Sequence, residues 1–140
     1  MDINSLDRFV QAQATMYSIA LEEIKSGKKY SHWMWYIFPQ MKGLGMTPRS
    51  NYYGIESLEE AKAYYEHEIL GKRLVEACEV LLSLEESDPV RVMGTPDDIK
   101  LCSSMTLFMQ VAGKDSVFAR VIDKFFYGLY DIMTLELLGM

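Results

Sequence analysis

The chain has 140 residues, a formal net charge of −6 and a hydrophobic content of 49%. A chain of this size and composition can bury a sizeable core, which excludes disorder and predicts one compact domain over residues 1–140. An overall acidic protein binds the phosphates of nucleic acid poorly, so a nucleic-acid partner is not expected.

The cysteines and the N-terminal residues indicate a cytoplasmic protein without a metal site or a membrane partner. Cys78 and Cys102 do not form a CxxC pair, and the chain has only two histidines, so neither a disulfide framework nor a metal site is predicted. The first residues lack the basic and apolar regions of a signal peptide. No apolar run approaches the roughly 18 residues that a membrane span requires.

Apolar side chains recur mostly at spacings of three and four, and no segment alternates as a strand does. This pattern predicts an all-α fold of six to eight helices. The first helix covers about residues 5–27. A short helix follows over about 31–37 and ends before Pro39. Residues 40–54 contain three glycines and one proline without apolar periodicity, which predicts a long loop.

Capping residues predict where the later helices begin. Ser, Thr and Asp side chains can accept a hydrogen bond from the free backbone N–H groups of a first helical turn. Ser57 and Glu60 form a capping box for a helix to about Glu66, and another helix covers about 70–85. The remaining starts are predicted at Asp88–Pro89, with an end at Gly94; at Thr95–Pro96; at Asp115 or Ser116; and at Asp131, for a last helix over 132–138.

The segment 29–40 contains both tryptophans of the chain and is its most informative stretch. A short aromatic helix can belong to the core, or one tryptophan can form a stacking surface for a base or a similar ring. Trp33 and Trp35 are two positions apart, and such positions lie about 200° apart on a helix. We therefore predict that Trp33, beside His32, lines a pocket and that Trp35 is buried.

Polar residues of segments 29–40 and 96–108 would complete that pocket if the two segments meet. Lysines would hold an anion, a glutamine would orient a ring, and an aspartate could bind ribose hydroxyls. The alternatives are a capping role for the aspartates and a Ser–Lys nucleophile pair on one helix face. The predicted ligand-binding residues are Lys29, His32, Trp33, Gln40, Asp97, Asp98, Lys100 and Ser104.

Two long runs of residues carry a resemblance to a known family. The first is 31–40 with Gly43-Leu44-Gly45, and the second is 96–98 with 103–108. They resemble the signatures of domain-of-unknown-function family 1810, and the resemblance spans nearly the whole chain. It implies a small, all-helical bacterial domain with an orthogonal or superhelical arrangement of helices, and no established activity. Some members are labelled calpastatin-like, but inhibitors of that type are disordered and this chain is not.

Two functions are consistent with these observations. The first is a site for an anionic, ring-containing metabolite such as a nucleotide or, as the resemblance implies, an NAD or ADP-ribose derivative. Whether this site is catalytic stays open, and no cofactor is predicted, because the glycines at 43 and 45 lack the phosphate-loop pattern. The alternative is a non-catalytic interaction module. Residues 55–140 hold eight Lys/Arg and sixteen Asp/Glu and would dock a basic partner, or apolar patches would pair two copies as a homodimer.

Overall fold

Helices make up the regular secondary structure of residues 6–140, the part of the chain that the computed structural model describes. Between the extended segments of this part, a parallel bridge pairs Met41 with Ile55. The all-α prediction is confirmed. None of the described helices is long and apolar enough to cross a membrane. The helices are α1 (Asp7–Lys25), α2 (Met34–Ile37), α3 (Pro48–Tyr52), α4 (Leu58–Glu66), α5 (Leu70–Ser83), α6 (Pro89–Met93), α7 (Asp97–Ala112), α8 (Val117–Phe126) and α9 (Ile132–Leu137).

The described residues form nine helices, one more than the upper end of the predicted range, because α3 lies inside the segment predicted to be a loop. The side chain of Thr47 accepts a hydrogen bond from the backbone N–H of Ser50, and Pro48 occupies the first turn. Threonine followed by proline is a recognised start signal. The glycines of residues 40–54 hid this signal, because they remove the apolar periodicity on which the prediction relied.

Most predicted helix starts are correct. Ser57, Asp88, Ser116 and Asp131 each accept a hydrogen bond from a backbone N–H two or three residues later. The predicted Thr95 cap is wrong, because α7 begins two residues later and makes no side-chain cap hydrogen bond. The predicted beginning of α1 near residue 5 lies outside the described residues, and its end at Lys25 is two residues short of the prediction.

α7 lies at the centre of the fold. Leu101 and all of residues 103–109 are buried on this helix. A helix with buried residues on every side must be covered on every side, and α4, α6, α8 and α9 all pack against it. α5 in turn contacts α1, α4 and α8. The solvent-accessible side chains of α7 are therefore concentrated near its two ends.

A buried polar network fixes α2 against α1 and α4. The side-chain amide of Gln13 donates to the backbone carbonyl of Tyr36 at 2.7 Å and to the hydroxyl of Tyr64 at 2.9 Å. The hydroxyl of Tyr64 donates to the same carbonyl at 3.2 Å. Because a buried polar group without a partner costs about 1–3 kcal/mol, this network strongly favours one position of α2.

The carboxylate of Glu23 organises the chain before α2. Its Oε1 accepts hydrogen bonds from the backbone N–H groups of Tyr30 and Ser31 and from the indole N–H of Trp33, at 2.8, 2.9 and 2.9 Å. Its Oε2 accepts from the Ser31 hydroxyl at 2.5 Å. These bonds hold residues 30–33 in a non-helical path, which is why α2 begins at Met34 and not near 31 as predicted.

The same bonds determine the acidity of Glu23. Burial raises the pKa of its carboxyl, but the hydrogen bonds from Ser31, Tyr30 and Trp33 outweigh burial and lower the pKa to about 2. The charged form is therefore favoured in the folded protein. A carboxyl whose pKa is lower when folded than when unfolded stabilises the fold fully above the unfolded value. That contribution is lost as the pH falls toward the folded value.

We expect Glu23→Gln to lower the free energy of unfolding by about 1–3 kcal/mol at pH 7, because an amide cannot accept all four hydrogen bonds. The difference in free energy of unfolding between wild type and variant should become smaller as the pH falls from about 5 toward 2. Urea unfolding at pH 7, 5 and 3.5 measures both effects. Glu22→Gln is the matched control, since Glu22 is exposed and pairs with Lys25 on the same helix. A free-energy difference that does not change with pH would contradict the lowered pKa of Glu23.

Candidate functional site

The first turn of α7 directs its side chains toward two different parts of the molecule. Adjacent positions on a helix lie about 100° apart. Asp97 accordingly pairs with lysines on the side of α2. Asp98 lines a large surface cleft together with Cys102, which is four positions later and therefore on the same face. The two aspartates that were predicted to share one pocket are thus separated.

The two predicted segments meet at an ion-pair junction. Nζ of Lys29 lies 2.9 Å from Oδ2 of Asp97, and Nζ of Lys100 lies 3.7 Å from Oδ1 of the same carboxylate. The Lys29 side chain is 7% exposed and also donates to the carbonyl of Ser31 at 2.6 Å. Both lysines proposed to hold an anion are therefore already paired with a carboxylate of the chain itself.

The predicted roles of the two tryptophans are reversed in the structure. Trp33 is fully buried, with its indole N–H bonded to Glu23 and the Lys29 ammonium 5.0 Å from its ring centre. Trp35 is half-buried. The prediction placed Trp35 in the core because of its apolar neighbours in sequence. Sequence neighbours do not reveal the hydrogen bond between the Trp33 indole and the Glu23 carboxylate.

The remaining predicted residues differ in their surroundings. Trp35, Gln40 and Lys100 border a space of about 10 Å³, which can hold at most one water molecule. His32 is exposed. Ser104 is completely buried, and its hydroxyl has no hydrogen-bond partner among residues 6–140, so the structure shows no Ser–Lys hydrogen bond on α7.

A cleft of about 630 Å³ lies on the other side of α7, where the start of α6, the first half of α7, the end of α8 and the segment before α9 meet. Its volume falls in the range of small-molecule pockets. We call it the acidic cleft, because its lining contains four carboxylates and no lysine or arginine. It is lined by Glu86, Ser87, Asp88, Pro89, Asp98, Ile99, Cys102, Phe125, Phe126, Tyr127, Leu129, Tyr130 and Asp131.

The carboxylates of the acidic cleft differ in their partners. Arg91 lies 3.5 Å from Glu86 and 3.8 Å from Asp88, so these two charges are partly neutralised. Oδ1 of Asp98 is buried and has no hydrogen-bond partner within residues 6–140. A buried carboxylate oxygen without a donor is unfavourable, so a water molecule or a bound cation is expected to supply the missing contact. Asp98 is therefore the strongest candidate contact for a cation.

Asp131 is held rigidly at the opposite wall of the acidic cleft. Its Oδ2 accepts hydrogen bonds from the Ser103 hydroxyl at 2.8 Å and from the backbone N–H of Thr134 at 3.2 Å. Its own backbone N–H donates to the hydroxyl of Thr106 at 2.9 Å. These contacts tie the wall to α7 and fix the orientation of the carboxylate.

Cys102 offers a chemical probe of the acidic cleft. Its thiol is partly accessible, whereas that of Cys78 is completely buried. Burial, and then the negative charge of Asp131, raise the pKa of the Cys102 thiol to about 11. A thiol with such a pKa is a poor nucleophile at neutral pH, so the structure does not favour Cys102 as a catalytic residue.

The acidic cleft combines carboxylates with aromatic side chains. Among residues 6–140, no group of three His, Cys, Asp or Glu is placed to hold a metal ion. The sequence analysis missed Phe126, Tyr130 and Asp131 as site residues. Asp131 was recognised only as a helix cap, and no spacing along the chain signals that α6, α7 and α8 leave a cleft between them.

The comparisons agree with the fold. A profile described as "Protein of unknown function (DUF1810)" matches residues 3–138, and the chain belongs to this family. The chain is 43% identical to the conserved hypothetical protein Rv1873 from Mycobacterium tuberculosis, whose crystal structure it matches with a TM-score of 0.94 over 99% of both chains. The resemblance noted in the sequence is therefore confirmed. A comparison with curated proteins finds no match.

We expect the two tryptophans to differ in their contribution to stability. Trp33→Ala should lower the free energy of unfolding by roughly 3–5 kcal/mol, the usual cost of deleting a buried aromatic side chain. Trp35→Ala should cost clearly less, because Trp35 is only half-buried. Urea unfolding of both variants, followed by circular dichroism, measures the difference. Equal losses would show that Trp35 is as important to the core as Trp33.

Proposed function

We propose that this member of the DUF1810 family is a binding protein whose acidic cleft takes an organic cation, such as an amidinium or guanidinium group attached to an apolar body. The unpartnered buried oxygen of Asp98 is the observation that carries this proposal. A planar cation would donate hydrogen bonds to Asp98 and Asp131, and its flat face would stack on Phe126 or Tyr130.

The shape of the acidic cleft supports binding of a ligand with both charged and apolar parts. Its walls contain both carboxylates and apolar or aromatic side chains, so a ligand would be recognised by charge as well as by hydrophobic contact. The lining shows no nucleophile activated by a neighbouring base, since the only thiol has a raised pKa. We therefore propose binding without catalysis.

Benzamidine and its neutral analogue benzamide test the proposal, because they share a ring and differ in charge. Benzamidine should slow the alkylation of Cys102 by iodoacetamide in the native protein at pH 9, where more of the thiol is ionised than at neutral pH, as followed by mass spectrometry, and benzamide at the same concentration should not. Asp98→Asn should weaken protection by roughly ten- to a hundred-fold, the effect of losing a hydrogen bond to a charged group.

Two controls make this experiment specific. Asp115→Asn changes the net charge equally but lies outside the acidic cleft, so benzamidine should protect this variant as it protects the wild type. Cys102→Ala shows whether any of the measured alkylation occurs at Cys78. Equal protection by benzamide and benzamidine, or unchanged protection of Asp98→Asn, would refute the proposal.

A second candidate function keeps the predicted anionic, ring-containing metabolite but moves its site to the surface around Trp35. The guanidinium of Arg49 lies 4.9 Å and the ammonium of Lys100 lies 5.4 Å from the centre of the Trp35 ring. Two cations beside a half-buried indole could bind a phosphate next to a stacked base. We propose a nucleotide or an ADP-ribose derivative as the ligand of this surface.

Fluorescence titration with AMP, ADP-ribose and uncharged adenosine tests this second function. AMP or ADP-ribose should quench Trp35, adenosine should quench it less, and Arg49→Gln should weaken the response roughly ten-fold by removing one charged contact. Lys42→Gln is the control, since Lys42 is another exposed cation of the same part of the chain. The absence of quenching at millimolar nucleotide would rule this function out.

A further inference from the structure

The fold leaves five apolar side chains exposed that line the acidic cleft or directly follow one of its lining residues in the chain. Ile99 is 59% exposed, Tyr127 is 94% exposed and Leu129 is 68% exposed, although all three line the acidic cleft. Ile132 and Met133, which directly follow Asp131, are 67% and 59% exposed. We call these five residues the apolar rim. A contiguous exposed apolar surface beside polar groups is typical of a protein interaction site.

The apolar rim is larger than a small cation needs. A metabolite is usually recognised by walls that enclose most of its surface, whereas these side chains point their apolar area into solvent. Tyr127 illustrates this, because it ends α8 in the left-handed conformation with φ of 57°, which glycine or asparagine adopts more easily. Its aromatic ring is almost entirely exposed, so packing within the chain does not explain its presence.

The charge of this surface indicates the charge of its partner. The lining of the acidic cleft has four carboxylates, of which Arg91 partly neutralises two from outside the lining, and residues 55–140 hold sixteen Asp/Glu against eight Lys/Arg. Complementary potentials accelerate association and exclude partners of the same sign. A partner for this surface should therefore combine basic residues with apolar ones.

We propose that the acidic cleft and the apolar rim together bind a basic, apolar segment of another protein, with an arginine side chain in the cleft and apolar side chains on the rim. This inference rests on the proposed function, since it requires that the cleft take an organic cation. Arginine fits better than lysine, because its planar guanidinium can donate two parallel hydrogen bonds to a carboxylate and stack on an aromatic ring. A volume of about 630 Å³ also leaves room for residues beside that arginine.

Fluorescence anisotropy with a labelled synthetic peptide tests the inference. The probe has two central arginines flanked on each side by two leucines, and the control peptide replaces both arginines with citrulline, the neutral analogue of the same shape. The dissociation constant of the arginine peptide should be at least ten-fold lower than that of free arginine amide, which is measured by competition with the labelled peptide. The citrulline peptide should bind at least ten-fold more weakly than the arginine peptide.

Variants of the protein separate the rim from the cleft. The double variant Ile132→Ser and Met133→Ser should lower the affinity for the peptide at least five-fold and leave the protection of Cys102 by benzamidine unchanged. Asp98→Asn should lower the affinity for both the peptide and benzamidine. Ile19→Ser, which alters an exposed apolar residue of α1, is the control and should weaken neither. Thermal melts should show that the surface variants remain folded.

The outcomes distinguish the inference from the function on which it rests. The first pair of outcomes assumes that benzamidine protects Cys102. If the peptide then binds no more tightly than arginine amide, or if the rim variant binds the peptide as tightly as the wild type does, the cleft takes a small cation and the inference is wrong. If neither ligand depends on Asp98, both proposals fail. Sedimentation measures self-association of the protein. If the rim variant abolishes self-association and the peptide does not compete with it, this surface binds a second copy of the chain, and the inference is overturned.

Discussion

The ion pair between Lys29 and Asp97 is the contact on which the arrangement of both candidate sites depends. It joins the segment before α2 to the first turn of α7, and the lysine side chain is almost completely buried. Removing one partner of such a pair is costly, because the other charge then stays buried and uncompensated. With Asp97 held on the α2 side, the helical geometry places Asp98 on the face that lines the acidic cleft.

The ion pair also decides what the α2 side can bind. Asp97 pairs with the two lysines that were predicted to hold an anion, and Glu23 accepts a hydrogen bond from the indole N–H of Trp33. The polar groups of this region satisfy one another, which is characteristic of a structural contact. Trp35, which is half-buried, and Arg49, which is exposed, remain accessible there. The opposite side of α7 is different, since a carboxylate oxygen stays unsatisfied beside a cleft of ligand size.

The two proposals for the acidic cleft rely on different properties of the same surface. The unpartnered Asp98 oxygen and the aromatic walls argue for a cation, whatever molecule carries it. The apolar rim argues that the cation belongs to a polypeptide, because exposed apolar area beyond the cleft is buried only by a larger partner. The loop after α8 and the start of α9 supply most of this rim, so they would determine specificity. The charge would come from Asp98 of α7 and from Asp131 before α9.

The sequence by itself determined the helices, because their causes are local. Apolar spacing and the caps at Ser57, Asp88, Ser116 and Asp131 predicted all helices except α3, usually within two residues. The family signatures in turn identified the segments that meet in space. The local sequence pattern could not show that α2 is shorter than predicted. The helix begins only after residues 30–33, which the four hydrogen bonds to Glu23 hold in a non-helical path.

Only the tertiary structure decided which side chains are accessible. Trp33 and Trp35 have similar neighbours in sequence, yet the first is fully buried and its indole N–H bonds a carboxylate ten residues earlier, whereas the second is half-buried. Asp97 and Asp98 are adjacent and chemically identical, yet one is paired and the other lines a cleft. These outcomes depend on contacts between residues far apart in the chain, and periodicity along the sequence carries no information about which partners the packing of α6, α7 and α8 brings together.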